Sequence, residues 1–289
     1  MISYIGGKNR MAKWIGNYIP NDIETYVEVF GGAFWVYVNG QVHKKPILKN
    51  VIYNDFNRYM TNLFACCRNP QEFLKSMDEI VAQDSELFYQ FKTDVFENKN
   101  IKDIDIPDYD YGMKYAYIVT QIFSGLNPEK GKFIDLKGKY SSKFDAFRRR
   151  LKNPAVIEKL KKISNVENMD FEEVIKKYDS PTTYFYVDPP YWKTENYYSL
   201  HNFDTDDHKI LADILKNIEG RFSLSYYDFD QLHDWFPEDE YEWELKDFVK
   251  PASAQKGKSQ NKGTELLIMN YQLENKKEKT KNIEHGFWS

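Results

Sequence analysis

Cysteine is nearly missing from this 289-residue sequence: Cys66 and Cys67, side by side, are the two present. Adjacent cysteines build no disulfide framework and lack the spacing of metal ligands, so a metal centre is not expected and a reducing, cytoplasmic setting is. No stretch approaches the roughly 18 apolar residues that a membrane span needs. The first residues, MISYIGGKNRM, hold no apolar core of an export signal. No Gly-x-Gly-x-x-Gly follows the first strand-like segment, which argues against a Rossmann oxidoreductase. Internal repeats are lacking, and so is a large excess of one charge, with 40 Lys and Arg against 44 Asp and Glu.

What is present is enough chain to bury a sizeable core and an aromatic share of 17%. Aromatics fill cores and interfaces, but they also grip nucleic-acid bases. The charge is unevenly spread. Residues 78–110 carry ten acids against three lysines, whereas 130–162 carry twelve Lys and Arg against three acids. Within the basic stretch lie Lys130, Lys132 and the run Arg148-Arg149-Arg150. Such a stretch is either a solvated helix face or a phosphate-binding patch, which screening allows even on an acidic protein.

Strand-like and helix-like segments alternate at both ends of the chain. TYVEVF (25–30), VIYND (51–55), TTYFYVD (182–188), RFSLSYYD (221–228) and TELLIMNY (264–271) read as strands. AFWVYVNG favours a helix after the Gly31-Gly32 turn, and FNRYMTNLFACCR is a second helix. DTDDHKILADILKNIEG is a third, with Asp204 or Thr205 as N-cap and Gly220 at its stop. The expected fold is α/β, a Rossmann-like domain with a mixed, mostly parallel sheet covered on both faces. Residues 68–163 are mainly helical in period and read as an inserted domain between 1–67 and 164–274, with a charged tail at 275–289.

In open α/β sheets ligands bind outside the carboxyl ends of the strands, so those ends deserve comparison. The first runs into Phe30-Gly31-Gly32, where glycine allows a tight turn and a close backbone approach, although a Gly pair can also be a turn and nothing more. The second ends at Asp55, placed either to accept ribose hydroxyls or to cap the next helix. The third ends in Asp188-Pro189-Pro190-Tyr191. An ionised Asp188 and the Pro189 carbonyl are acceptors one residue apart, held by restricted proline backbone. They suit an amino group with two N–H donors, and Tyr191 offers a face for a planar base.

Four segments in this order, Tyr4-Ile5-Gly6-Gly7-Lys8, Glu28-Val29-Phe30-Gly31-Gly32, Asn54-Asp55-Phe56-Asn57 and Asp188-Pro189-Pro190-Tyr191, resemble the Dam-type (D12 class, alpha-group) DNA adenine-N6 methyltransferases. HKILADIL (208–215), FSLSYYD (222–228) and ELLIMNY (265–271) are also similar, so the resemblance covers roughly two-thirds of the chain. It implies S-adenosyl-L-methionine as cofactor, gripped by Tyr4, Gly7, Lys8, the Phe30-Gly31-Gly32 turn, Asp55, Phe171 and Asp188. Asp188, Pro189, Pro190 and Tyr191 would hold an adenine flipped from double-stranded DNA, and a cognate restriction endonuclease is a possible partner. Lys130, Lys132, Arg148, Arg149, Arg150, Lys256, Lys258 and Lys262 would meet phosphates. Of the pattern typical of GATC-reading members, only Gly131-x-Phe133 is kept, which leaves the recognition sequence open. Methylation of RNA adenine, cytosine N4 or a protein amide, and a non-catalytic protein that kept the fold, stand as alternatives.

Overall fold

The structure is a computed structural model describing residues 2, 7–98, 100, 102, 105–123, 127–135, 142–192, 203–249 and 262–273. It opens with α1 (Ala12–Tyr18), β1 (Thr25–Glu28), the short α2 (Trp35–Asn39) and a 3-10 turn at Val42–Lys44. Next come β2 (Asn50–Asn54) and α3 (Arg58–Cys67). The helices α4 (Pro70–Lys75), α5 (Ser85–Phe96), α6 (Tyr109–Thr120), α7 (Lys143–Lys152) and α8 (Pro154–Lys161) follow, with no strand among the described residues between them. The alternation resumes with β3 (Asn165–Glu167), α9 (Phe171–Tyr178), β4 (Thr183–Val187), α10 (Thr205–Asn217), β5 (Arg221–Tyr226) and α11 (Asp230–Trp235). It closes with β6 (Glu242–Val249) and β7 (Lys262–Met269).

The seven strands form one sheet in the order β3-β2-β1-β4-β5-β7-β6. β1 to β5 pair in parallel, and β7 runs antiparallel to both β5 and β6. This is the mixed, mostly parallel α/β sheet that the strand and helix alternation predicts. The sequence reading finds five of the strands and misses β3 and β6. β3 is three residues long, and β6 is an edge strand mixing Glu242, Glu244 and Lys246 with apolar residues, so neither reads as a buried strand.

Alternation along the strands divides the core in two. Tyr26, Tyr53, Tyr184 and Tyr186 point to one face, where they meet Tyr37 of α2, Phe64 of α3 and residues of α5 to α8. Val27, Ile52, Phe185 and Val187 point to the other, against α9, α10 and α11. Much of the aromatic content is therefore core: Tyr26, Tyr37, Tyr53, Tyr115, Tyr117 and Tyr184 are fully buried. Their hydroxyls need partners, and the Ser pair of β5 supplies two: Ser225 meets Tyr186 at 2.9 Å, and Ser223 meets Tyr184. Helix starts are fixed by side-chain caps, among them Asn57 for α3 and Asp170 for α9. Asp204 caps α10 in a capping box with Asp207, which decides between the two caps expected there. No described helix is long and apolar enough to cross a membrane.

Candidate active site

β1 and β4 are neighbours at the centre of the sheet, and the strand order runs outward from them in opposite directions. The crevice at their carboxyl ends is where such a sheet receives a ligand. On the β1 side the chain turns through Gly31 and Gly32. The Gly31 N–H donates to the Asn54 carbonyl at 2.7 Å, and a Cβ at Gly31 would stand 2.4 Å from the Tyr53 ring. Gly32 adopts φ 45°, a left-handed conformation that glycine takes without a Cβ penalty. Asn54, wholly buried, donates to the carbonyls of Val29 and Met169 and accepts the Met169 N–H, stapling β1, β2 and the approach to α9.

Asp55 is not the cap of α3, since Asn57 holds that place. Its Oδ2 accepts the Gly32 N–H at 2.7 Å and its Oδ1 the Asn57 N–H at 2.8 Å. Burial pushes its carboxyl up to about 6, and the two N–H groups pull the other way. A carboxylate offers about four lone-pair sites, so two backbone bonds leave capacity for hydroxyl donors. Beside it Phe30, Phe171 and Phe203 form a ring cluster with centroids 5.6 to 6.0 Å apart.

β4 delivers Asp188, with Pro189 and Pro190 buried behind it. The Asp188 side chain is 17% exposed and its Oδ1 lies 2.9 Å from the Lys8 ammonium. Lys8 is itself buried in the turn that enters α1, and its carbonyl accepts the N–H groups of Met11 and Ala12. Burial pushes the Asp188 carboxyl up, Lys8 pulls it down and Glu265 raises it again, leaving it at about 6. Burial alone would lower the Lys8 pKa, yet Asp188 and Glu265 more than offset this and hold it above the ordinary value.

Glu265 is the residue that sequence reasoning missed. Its Oε1 lies 3.1 Å from Lys8 and accepts the Tyr191 hydroxyl at 2.5 Å, while Lys8 also donates to that hydroxyl. One signal was available: in TELLIMNY it shares the parity of Leu267 and Met269, which face the core. Tyr191 is 8% exposed and its ring packs against Tyr226 and the edge of Tyr227. Tyr227 in turn borders an open cleft of about 410 Å³ lined also by Trp192, Asp228, Phe229, Asp230 and Gln231. Trp192 and Phe229 stack there, with centroids 5.0 Å apart and planes 7° from parallel.

The remaining candidates are scattered. Gly7 is exposed beside Lys8, and Tyr4 lies outside the described residues. Lys130 and Lys132 are exposed on the stretch between α6 and α7, and Arg149 and Arg150 are exposed on α7. Arg150 sets its guanidinium over Trp35, 5.5 Å from the ring centroid. Arg148 is spent internally, donating to the carbonyls of Met77 and Ile80 and pairing with Asp145. Lys256 and Lys258 lie outside the described residues, and Lys262 starts β7, where its backbone pairs with Val249. Among the described residues no cluster of three or more His, Cys, Asp or Glu is gathered for a metal ion.

The family described as D12 class N6 adenine-specific DNA methyltransferase matches residues 4–250. A Type II methyltransferase, M.CviBI of Paramecium bursaria Chlorella virus NC1A, is 23% identical over 290 residues, covering 94% of this chain and 99% of that protein. The family match runs from the turn before α1 through β6, taking in the glycine turn, both rim carboxylates and the helices between β2 and β3. So extended a match settles the assignment: the chain belongs to the D12 class N6 adenine-specific DNA methyltransferases, and it methylates adenine in DNA site-specifically.

Proposed function

We propose that the methyl group comes from S-adenosyl-L-methionine, and that Asp188 and the Pro189 carbonyl hold the N6 amino group of an adenine turned out of double-stranded DNA. The observation that carries this reading is the place of Asp188: a largely buried carboxylate at the end of the central strand β4, on the same rim as Asp55. The donor set suits the cofactor. Asp55 would accept its ribose hydroxyls, Phe30 and Phe171 would flank its adenine, and the Gly31-Gly32 turn would let the backbone come close. Tyr4, Gly7 and Lys8 would form the N-terminal wall. Bound S-adenosyl-L-methionine supplies an electrophilic methyl on a sulfonium.

The adenine amino nitrogen is a weak nucleophile because its lone pair is shared with the ring. Accepting both N–H bonds favours a more pyramidal nitrogen and stabilises the positive charge that develops on it. Asp188, accepting an N6 hydrogen, would also be placed to take the proton that N6 loses when it becomes a secondary amine. Fixing N6 in line with the methyl carbon supplies much of the rate, because a bimolecular encounter becomes a local one. Extruding the base costs a few kcal/mol, and stacking on an aromatic ring returns about 1–3 kcal/mol. Tyr191 is the ring for this stacking. Tyr227, whose ring meets it at 74°, also lines the cleft.

In the same reading, residues 68–163 are the target-recognition domain, inserted between the catalytic parts 1–67 and 164–274 and followed by the tail 275–289. Lys130, Lys132, Arg149, Arg150, Lys256, Lys258 and Lys262 contact phosphates, which position the duplex without reading it. Arg148 contributes by fixing α7 to the carbonyls after α4. The setting is the cytoplasm, and a restriction endonuclease reading the same site is the implied second partner.

The test is methyl transfer from labelled S-adenosyl-L-methionine to unmethylated genomic DNA, followed by single-molecule sequencing. Asp188→Asn is expected to lower the rate by roughly 10²-fold or more at an unchanged melting temperature. A folded Asp188→Asn protein with the parent rate would overturn the assignment of Asp188.

A further inference from the structure

Lys8 is not paired one to one. A single buried ammonium stands between two carboxylates, Asp188 at 2.9 Å and Glu265 at 3.1 Å, and Tyr191 donates to the second of them. Lys8 and Glu265 are 8% and 2% exposed, so bulk water does little to screen the group. Buried charges persist when they are paired, and a Lys8–Asp188 pair alone would already be neutral. The extra carboxylate leaves one ammonium against two negative charges, a net −1 beside the proposed methyl-transfer position. Glu265 also falls outside the span that matches the family.

We infer that Glu265 is a positioning residue of the transfer reaction: it takes up the charge of Lys8 and the Tyr191 hydroxyl, so that the negative charge of Asp188 is not cancelled and the cluster stays one negative charge from neutrality. This rests on the role proposed above for Asp188. The charge of the reaction explains why such a cluster helps. Positive charge arrives on the sulfonium and moves to N6 as the methyl carbon leaves sulfur, which keeps the bond pair. Because Asp188 would hold N6, a net negative charge there favours the positive charge as it arrives on N6 over its place on sulfur, and so lowers the barrier. A neutral cluster would lower it less, and Lys8 unmatched by Glu265 would oppose the charge of Asp188 directly.

The geometry also explains why Glu265 can act here. β7 runs antiparallel to β5, with Leu266 opposite Tyr226, so the beginning of β7 lies at the rim where β4 and β5 end. The groups facing Asp188 are Lys8 before α1, Glu28 on β1, Tyr186 on β4, Tyr191, Tyr227 after β5 and Glu265 on β7. Of these Lys8 lowers the Asp188 pKa and Glu265 raises it. Glu28 changes charge only near 8, and Asp55, also at about 6, makes no contact with Lys8 or Glu265, so a shift of the acid limb in variants of those two residues reports on Asp188.

The experiment is single-turnover methyl transfer to unmethylated genomic DNA from pH 5 to 9, at saturating S-adenosyl-L-methionine. The proteins compared are the parent, Glu265→Gln, Glu265→Asp, Lys8→Met and the double variant Lys8→Met/Glu265→Gln. Glu265→Gln should lose roughly ten- to a hundredfold in rate and shift its acid limb to lower pH, whereas Glu265→Asp keeps the parent limb. Lys8→Met should shift the limb to higher pH. The double variant restores the net charge of −1 and should exceed Glu265→Gln in rate by roughly tenfold. A purely structural Glu265 predicts the reverse, a double variant worse than either single one with no shift of the limb, and that outcome overturns the inference. Should Glu265→Gln fail to fold, a double variant that folds and turns over supports the charge argument, and one that also fails overturns it. Asp188→Asn, run alongside, separates the two levels: if it keeps the parent rate, the role of Asp188 fails first, whatever Glu265 does.

Discussion

Glu28 shows how a single residue can set the pH response of this protein. It is 2% exposed at the end of β1, and its Oε1 accepts the Tyr26 hydroxyl and the Tyr37 N–H, each at 2.7 Å. Burial pushes its carboxyl from 4.5 up to about 8, against the pull of those two donors and with some help from Asp188. The unfolded chain therefore releases this proton well before the folded one does. The stability linked to Glu28 is full below the ordinary carboxylate range and is lost as pH rises through about 8. Asp55 and Asp188, both pushed up to about 6, add a loss of the same sign at lower pH. The melting temperature should fall between about pH 4 and 8, and Glu28→Gln should flatten that fall, each kcal/mol being worth about 2–4 °C. Calorimetric scans across this range check it, and an equal slope in both proteins would refute it.

At the scale of the element, the glycine turn and the start of α3 both touch Asp55, but they have different roles. Gly31 is required by space, because a Cβ there would meet Tyr53 at 2.4 Å and the Asn54 carbonyl at 2.7 Å. Gly31→Ala should destabilise by about 1–3 kcal/mol and weaken S-adenosyl-L-methionine binding, since the turn must move away from Asp55. The Asn57 side chain caps α3 through the N–H groups of Tyr59 and Met60, while the backbone N–H that holds Asp55 survives a change of side chain. Asn57→Ala should cost about 1 kcal/mol and leave cofactor affinity unchanged. Denaturant unfolding paired with titration calorimetry separates the two, and a weaker affinity in the cap variant would refute the division. Local sequence made both elements legible. It did not show which of Asp55 and Asn57 was the cap, because either residue type can serve.

At the scale of the whole molecule, net charge is a poor guide to the partner. The chain carries −4, yet the basic residues gather between 130 and 162 while the acids gather between 78 and 110. Phosphate binding releases counterions, so affinity for DNA should fall steeply with salt. Lys130→Ala and Lys132→Ala should each reduce the slope of log affinity against log salt by about 1, while the sequence methylated stays the same. Binding assays from 50 to 200 mM salt, as an order-of-magnitude range in which such contacts show, would read this, and an unchanged slope would remove these lysines from the interface. Arg148 looked equivalent to them in the sequence. Its guanidinium is engaged by its helix neighbour Asp145 and by the carbonyls of Met77 and Ile80, which lie 71 and 68 residues away and which charge counting cannot see.

The sequence by itself determined the α/β class, the five strands that read as buried or alternating, and the rim formed by Gly31, Asp55 and Asp188. These follow from local patterns: apolar periodicity, glycine at a tight turn, and a polar residue where a strand ends. Tertiary structure alone decided that β6 joins the sheet, that Lys8 folds back onto Asp188, and that Glu265 completes the cluster. The carboxyl-end rule passes over Glu265 because it sits near the beginning of its strand. Only the antiparallel pairing of β7 with β5 turns that beginning toward the rim of Asp55 and Asp188, and pairing direction is set by contacts between segments far apart in the chain.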